Sequence, residues 1–315
     1  MQRKVLVTGG AGFIGSHLVE HLLAMGDAVT VLDNLTSGHP ENLPAGVRLV
    51  QGDILDQDLL RGLLEQADCA FHLAALVSVP ECIADWRGGH RINLGGSIAL
   101  LQAAHQAGNV PVIYASSAAV YGNRSGEACA EDSLPLPISP YAADKLAVEH
   151  QARAMAEVHG LPSVGLRFFN VYGPRQDARS AYAGVISKFC ANRLADAPHV
   201  IFGDGGQSRD FIAVSDVVQG LLLARDSLQG LGGARVYNLC TGAETTLLDL
   251  ASAIDRVSGR TALPIRHQPA RGGDIRASRG CPELAARELG FCATTGIEAG
   301  LATLWASLQG KGGAG

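Results

Sequence analysis

Tyr141 and Lys145 stand four residues apart in YAADK, directly after Pro140. On a helix that spacing puts both side chains on one face. An ammonium beside a phenol lowers the phenol's pKa. A tyrosine so placed can act as a general base near neutral pH. Ser116 and Ser117 close the apolar run PVIYASS (111–117). A serine there can hydrogen-bond the substrate hydroxyl that Tyr141 deprotonates.

A second constellation lies at the N-terminus. Gly9, Gly12 and Gly15 are spaced GxxGxxG in TGGAGFIG, between the apolar run VLVT (5–8) and the first amphipathic stretch. Gly9 permits a tight turn, and Gly12 lets backbone approach a pyrophosphate seated on free helix N–H groups. Gly15 lets that helix pack closely on the sheet. The next strand, AVTVLD (28–33), ends in Asp33. An acid at that place accepts hydrogen bonds from the adenosine ribose. Its charge repels a 2′-phosphate and no arginine stands beside it in LDNLTSG, so NAD is expected rather than NADP.

These groups need a scaffold, and the chain supplies one. Short Val/Ile/Leu-rich runs at 5–8, 28–33, 47–53, 67–75, 111–117 and 162–170 alternate with helical stretches near 56–66, 92–108 and 141–160. Continuous apolar strands between helices indicate a parallel sheet covered on both faces. Right-handed crossovers make it a doubly wound, Rossmann-like α/β fold, with ligands at the carboxyl ends of the strands. The rhythm breaks after Asn170. The expected division is a dinucleotide-binding domain over 1–170, with 211–240 returning to it through the strand RVYNLC. A smaller, mostly helical substrate-binding domain is expected from 171–210 and 241–315. Ser215 is expected to cap a helix, and Thr246-x-x-Asp249 reads as a capping box.

Composition bounds the rest. The 39 glycines in 315 residues have no Gly-X-Y period, which excludes collagen. Net charge is −5, from 25 basic and 30 acidic residues without a basic block, so no nucleic-acid partner is expected. No apolar run approaches the ~20 residues that cross a bilayer, and MQRKVLVTGG lacks a signal-peptide layout. Seven cysteines, odd in number and without CxxC spacing, read as reduced thiols in a cytoplasmic protein. No metal site is expected from histidines so scattered.

The set TGGAGFIG, LDNLTSG, HLAA, SSAAVYG, YAADK and RFFNVYGPRQ resembles the extended short-chain dehydrogenase/reductases. More narrowly it is similar to the NAD-dependent nucleotide-sugar 4-epimerases of the UDP-glucose and UDP-N-acetylglucosamine types. The likeness reaches to about residue 290. It implies that Gly9, Gly12, Phe13 and Ile14 bind the pyrophosphate, and that Asp33 and Asn34 hold the adenosine ribose. Asp53 and Ile54 would border the adenine. Leu73, Ala74, Ala75 and Asn93 would line the dinucleotide path. Ser117, Tyr141 and Lys145 would be catalytic, with Tyr141 and Lys145 also facing the cofactor. For a UDP-sugar, Asn170, Arg209 and Arg271 would hold the diphosphate, and Phe202 would sit near the uracil. Ser78, Val185, Asp274 and Ser278 would border the sugar.

Several chemistries share such a scaffold, so the site must choose among them. The resemblance implies that dehydratases carry an acidic pair, and decarboxylases a glutamate, just after the strand-end serine. Here those positions are Ala118 and Ala119, which shuttle no proton. What remains is oxidation at C4, turnover of the 4-keto sugar and return of the hydride, with NAD retained. The resemblance also implies that Ser278, in GGDIRAS, falls at a position that gates sugar size, where a small residue goes with N-acetylated sugars. UDP-GlcNAc/UDP-GalNAc is therefore the expected pair. A UDP-glucose-only or UDP-hexuronate 4-epimerase is the alternative, and a catalytically silent NAD sensor is a remote one. The helices at 92–108 and 141–159 imply a homodimer by the same resemblance. The chain departs from the family pattern at Asp144, Val77 and Gly280.

Overall fold

The computed structural model describes every residue except Met1, Ser125, 177–183, 229–231, 271–274 and 312–315. Arg271 and Asp274 therefore lie outside the described residues. The first half runs β1 (Lys4–Thr8), α1 (Phe13–Ala24), β2 (Ala28–Asp33), β3 (Arg48–Gln51), α2 (Gln57–Leu64) and β4 (Cys69–His72). It continues with α3 (Val79–Ala84), α4 (Trp86–His90), α5 (Gly96–Gln106), β5 (Val112–Ser117), β6 (Ala128–Cys129), α6 (Pro140–His159) and β7 (Ser163–Phe168). Then come β8 (Asn170–Tyr172), α7 (Val185–Leu194), β9 (His199–Phe202), β10 (Ser208–Arg209), β11 (Phe211–Ala213), α8 (Val214–Ser227) and β12 (Ala234–Leu239). The chain closes with β13 (Thr245–Thr246), α9 (Leu247–Ser258), β14 (Ile265–Gln268), β15 (Ala277–Gly280), α10 (Glu283–Leu289) and α11 (Ile297–Lys311).

Seven strands form one parallel sheet in the order β12-β7-β5-β4-β1-β2-β3. Strand order reverses beside β1, and in such sheets that is where ligands bind. The strands alternate sides, as the pleat requires. Val5 and Val7 join Leu18, Leu22, Val217 and Leu221 beneath α1 and α8, whereas Leu6 joins Leu60, Leu100 and Val148 beneath α2, α5 and α6. This is the doubly wound fold expected, and 234–239 returns to the sheet beside β7.

A separate apolar cluster holds Phe189, Ile201, Leu250, Ile254 and Leu304, from α7, β9, α9 and α11. Short strands stitch this region together: β13-β10-β15-β6, β11-β8 and β14-β9. Residues 283–291, assigned in sequence to the second unit, contribute Ala285, Leu289 and Phe291 to the core on the main sheet.

Two local expectations change. The helix expected from 92 is already helical at Trp86, and Arg91–Gly95 forms a π-helical turn before α5. Ser215 does not cap α8. Strand β11 runs straight into the helix, Ala213 occupies the cap position, and the Ser215 hydroxyl meets Thr295 Oγ1 at 3.3 Å. Thr246 does cap α9, accepting from Asp249 N at 3.1 Å while its hydroxyl donates to Asp249 Oδ2 at 2.6 Å.

Candidate active site

The glycine turn is shaped by contacts of its own. Gly9 has φ +69°, and a Cβ there would stand 2.6 Å from Ala74 N. A Cβ on Gly15 would meet the Gly9 carbonyl oxygen at 2.2 Å, so Gly15 is required by the turn itself as well as by helix packing. Gly12 caps α1 without a side chain, and the first turn of α1, which opens with Phe13 and Ile14, carries no acid. That leaves a helix N-terminus suited to a diphosphate. Asp33 is buried at the end of β2. Its Oδ2 accepts from Ala11 N at 3.0 Å and its Oδ1 from Leu35 N at 2.9 Å, which fastens the acid to the glycine turn. Asn34 is exposed and turns its Oδ1 to Thr36 N. Asp53 makes a similar local bond to Leu55 N, and Ile54 is buried against Gly96.

Beyond β4, Leu73, Ala74 and Ala75 are half-buried. A directed hydrogen-bond chain fixes this bend. Ser97 Oγ donates to Asn93 O at 2.6 Å, so His72 Nε2 donates to Ser97 Oγ at 3.0 Å and His72 Nδ1 accepts from Thr8 Oγ1 at 2.8 Å. The imidazole is neutral, because burial pushes it down to about 3. Asn93 sits in the π-helical turn, a common device for aiming one side chain. Its amide accepts from Leu76 N at 2.8 Å and donates to Leu76 O at 3.1 Å. Ser78 caps α3 through Glu81 N.

The central cluster stands at the end of β5. Adjacent strand residues face opposite ways, so the two serines divide. Ser116 Oγ donates to Glu149, which also takes a bidentate pair from Arg167 at 2.9 and 2.7 Å. Ser117 instead faces Tyr141, where its hydroxyl draws the phenol's pKa down. Lys145 Nζ donates to Ala115 O at 2.9 Å and lies 5.8 Å from the centre of the Tyr141 ring. Ser139 caps α6 and sets the phase of that helix. The electrostatics correct one expectation. Burial pushes the Tyr141 phenol up to about 12, against the pull of Ser117, and lowers Lys145 to about 8. In the protein alone desolvation dominates both groups, because both charged forms lose their water. Ala118 and Ala119 follow in a short 3₁₀ turn capped by Ser117.

The remaining candidates cluster across the strand ends. Asn170 opens β8 and donates its Nδ2 to Asp210 O at 3.0 Å. Arg209 on β10 is paired in register with Ser278 on β15, so the two share a face. Phe202 ends β9, and Val185 opens α7 beside the half-open Gly184.

Two groups were not singled out in the sequence. Asp210 is fully buried, and its carboxylate accepts from Thr241 N and Oγ1, Gly242 N and Gly280 N. It thereby fixes the ends of β10, β12 and β15 together. Gly280 has a packing reason: a Cβ there would lie 2.4 Å from Cys240 Sγ and 2.8 Å from the Phe169 ring. The Glu149–Arg167 pair was also missed. No local spacing marks either group, since their partners are distant in sequence.

Residues 5–240 match the NAD dependent epimerase/dehydratase family. The UDP-glucose 4-epimerase of Mycolicibacterium smegmatis is 38% identical over 306 residues, covering 95% of this chain and 96% of that one. Two solved structures superpose closely. The UDP-glucose 4-epimerase of Thermotoga maritima, with UDP-glucose, has a TM-score of 0.92 at 34% identity, covering 98% of this chain and 99% of that one. The UDP-N-acetylglucosamine 4-epimerase of Methanobrevibacter ruminantium, with UDP-N-acetylmuramic acid, has a TM-score of 0.93 at 36% identity and the same coverage.

Proposed function

The chain belongs to the NAD dependent epimerase/dehydratase family, and we propose that its substrates are UDP-GlcNAc and UDP-GalNAc, interconverted at C4. At the coarser level it is an NAD-dependent UDP-sugar 4-epimerase. The donor set fits the cofactor: a helix N-terminus without a side-chain cap for the diphosphate, and a buried acid, with no arginine in its own segment LDNLTSG, for the ribose diol. Gly9, Gly12, Phe13, Ile14, Asp33 and Asn34 would hold that half, and Lys145 and Tyr141 the nicotinamide half.

Bound NAD supplies the hydride acceptor and, on return, the donor. Tyr141 takes the proton of the sugar 4-hydroxyl, and Ser117 hydrogen-bonds that oxygen. The Lys145 ammonium favours the tyrosinate once the site is loaded. Ala118 and Ala119 provide no acid for eliminating water, so the keto sugar is reduced again. Arg209 and Asn170 would hold the diphosphate while the sugar turns, with Arg271 a further candidate for the same role.

The observation that carries the choice of sugar is the Arg209–Ser278 register. It sets a small hydroxyl beside Arg209, which supports a site that admits an N-acetyl group. A second reading, UDP-glucose and UDP-galactose, is favoured by the M. smegmatis and T. maritima relatives. Epimerisation of UDP-GlcNAc and UDP-glucose followed by NMR, with bound NAD read by absorbance, separates them. A kcat/KM at least tenfold higher for UDP-glucose overturns the N-acetyl assignment.

We also propose a homodimer pairing through α5 and α6, after the family resemblance, and a cytoplasmic location. All seven cysteines are unpaired, which supports a reducing compartment. No helix among the described residues is long and apolar enough to cross a membrane. Light scattering tests the dimer.

A further inference from the structure

We propose that Ser116 and Glu149 are positioning residues for the reaction: the hydrogen bond between them fixes the Tyr141–Lys145 face of α6 on the end of β5. The inference rests on the assignment of Tyr141 and Lys145 to catalysis.

Tyr141, Lys145 and Glu149 recur every fourth residue along α6, so they lie on one face of it. Glu149 is buried, one turn beyond Lys145. Ser116 and Arg167 stand opposite each other in the β5–β7 register, so their side chains share a face of the sheet, and both reach Glu149. Ser116 Oγ donates to Glu149 Oε1. Arg167 donates from Nε to Oε1 at 2.9 Å and from Nη2 to Oε2 at 2.7 Å. Arg167 is held in turn, because its Nη1 donates to the Tyr121 hydroxyl at 2.8 Å and to the Glu131 carbonyl at 3.1 Å. The carboxylate therefore ties α6 to a fixed point on two neighbouring strands.

Stability alone does not account for this arrangement. A buried ion pair is weak evidence for stability, and apolar side chains of like volume often pack as well. What hydrogen bonds add is direction. Tyr141 lies in the first turn of α6, where backbone groups lack helical partners. The rotation of the face that carries it must be set further along. Consecutive residues of β5 do this: Lys145 Nζ donates to Ala115 O at 2.9 Å, and Glu149 accepts from the Ser116 hydroxyl. Ser117, the next residue, faces Tyr141. Of the two pins, the one through Lys145 belongs to the catalytic set, whereas the Ser116–Glu149 pin is buried beneath the helix.

The test uses full-length protein. Ser116→Ala removes the pin and leaves Glu149 paired with Arg167. The kcat is expected to fall about ten- to a hundredfold, the order that a misplacement of about 1 Å costs. KM for the UDP-sugar should stay within about twofold and bound NAD at the parental ratio. Leu228→Ala is the control: Leu228 is buried at the end of α8, in the core on the sheet face away from α6. It should lose at least as much melting temperature with kcat within about twofold of the parent. A readout that needs no turnover is a pair of crystal structures, parent and Ser116→Ala. The Tyr141 hydroxyl should be displaced from the Ala115 backbone by at least about 0.5 Å, the tolerance of a catalytic constellation. A kcat within about twofold of the parent, a fall that Leu228→Ala reproduces, or an unmoved Tyr141 overturns the proposal. If the parent turns over no UDP-sugar, the epimerase reading fails instead, and the displacement alone decides on the pin.

Discussion

Lys145 and Tyr141 share one face of α6, with the ammonium 5.8 Å from the ring centre, yet the hydrogen bond of Lys145 goes to the Ala115 carbonyl at 2.9 Å. The lysine is thus anchored by sheet backbone and stands off the phenol. The hydroxyl that draws the phenol's pKa down is that of Ser117.

Replacing Tyr141 by Phe removes the base and little else, since the ring keeps its packing. Epimerisation should fall by about 10³-fold, while the absorbance of bound NAD stays at the parental ratio. Turnover within tenfold of the parent would sink the assigned base.

His72 is buried neutral between Thr8 and Ser97, with its ring held down to about 3 against an ordinary value of 6.5. As pH falls below 6.5 the unfolded chain takes a proton that the folded chain refuses, so the stability contribution is full above 6.5 and drains toward pH 3. His72→Gln should be less stable at pH 7 by about 1–2 kcal/mol. It should also lose less melting temperature than the parent between pH 7 and pH 5. An equal acid loss in both proteins would remove His72 from the account.

Gly15→Ala places a methyl 2.2 Å from the Gly9 carbonyl. The turn must open, and overpacking of this kind costs about 1–3 kcal/mol. The expected outcome is a folded protein purified with substantially less NAD, read by the ratio of absorbances and by circular dichroism.

Ser278 stands in register with Arg209, so Ser278→Tyr narrows the space beside the diphosphate. The kcat/KM for UDP-GlcNAc should fall at least about tenfold while that for UDP-glucose stays within about threefold. Parallel losses on both sugars would place Ser278 outside the sugar pocket.

Much of this was legible in the amino-acid order. The glycine spacing, the acid ending β2 and the Tyr141–Lys145 interval are local features, and local geometry follows from spacing along a strand or a helix turn. The alternation of apolar runs with amphipathic stretches determined a doubly wound sheet, because strands buried on both faces leave no polar phase. The electrostatic order was not legible. Sequence spacing suggested that Lys145 lowers the phenol, whereas burial raises it to about 12, and burial belongs to the packed whole.

Long-range pairings were likewise decided only by the tertiary structure. His90 meets Asp144 across 54 positions, Asp210 gathers donors from residues 241, 242 and 280, and Ser116 finds Glu149 across 33 positions. None of these leaves a periodic trace. Each exists because a polar group taken out of water must find a partner, and the topology, not the spacing along the chain, decides which partner is near.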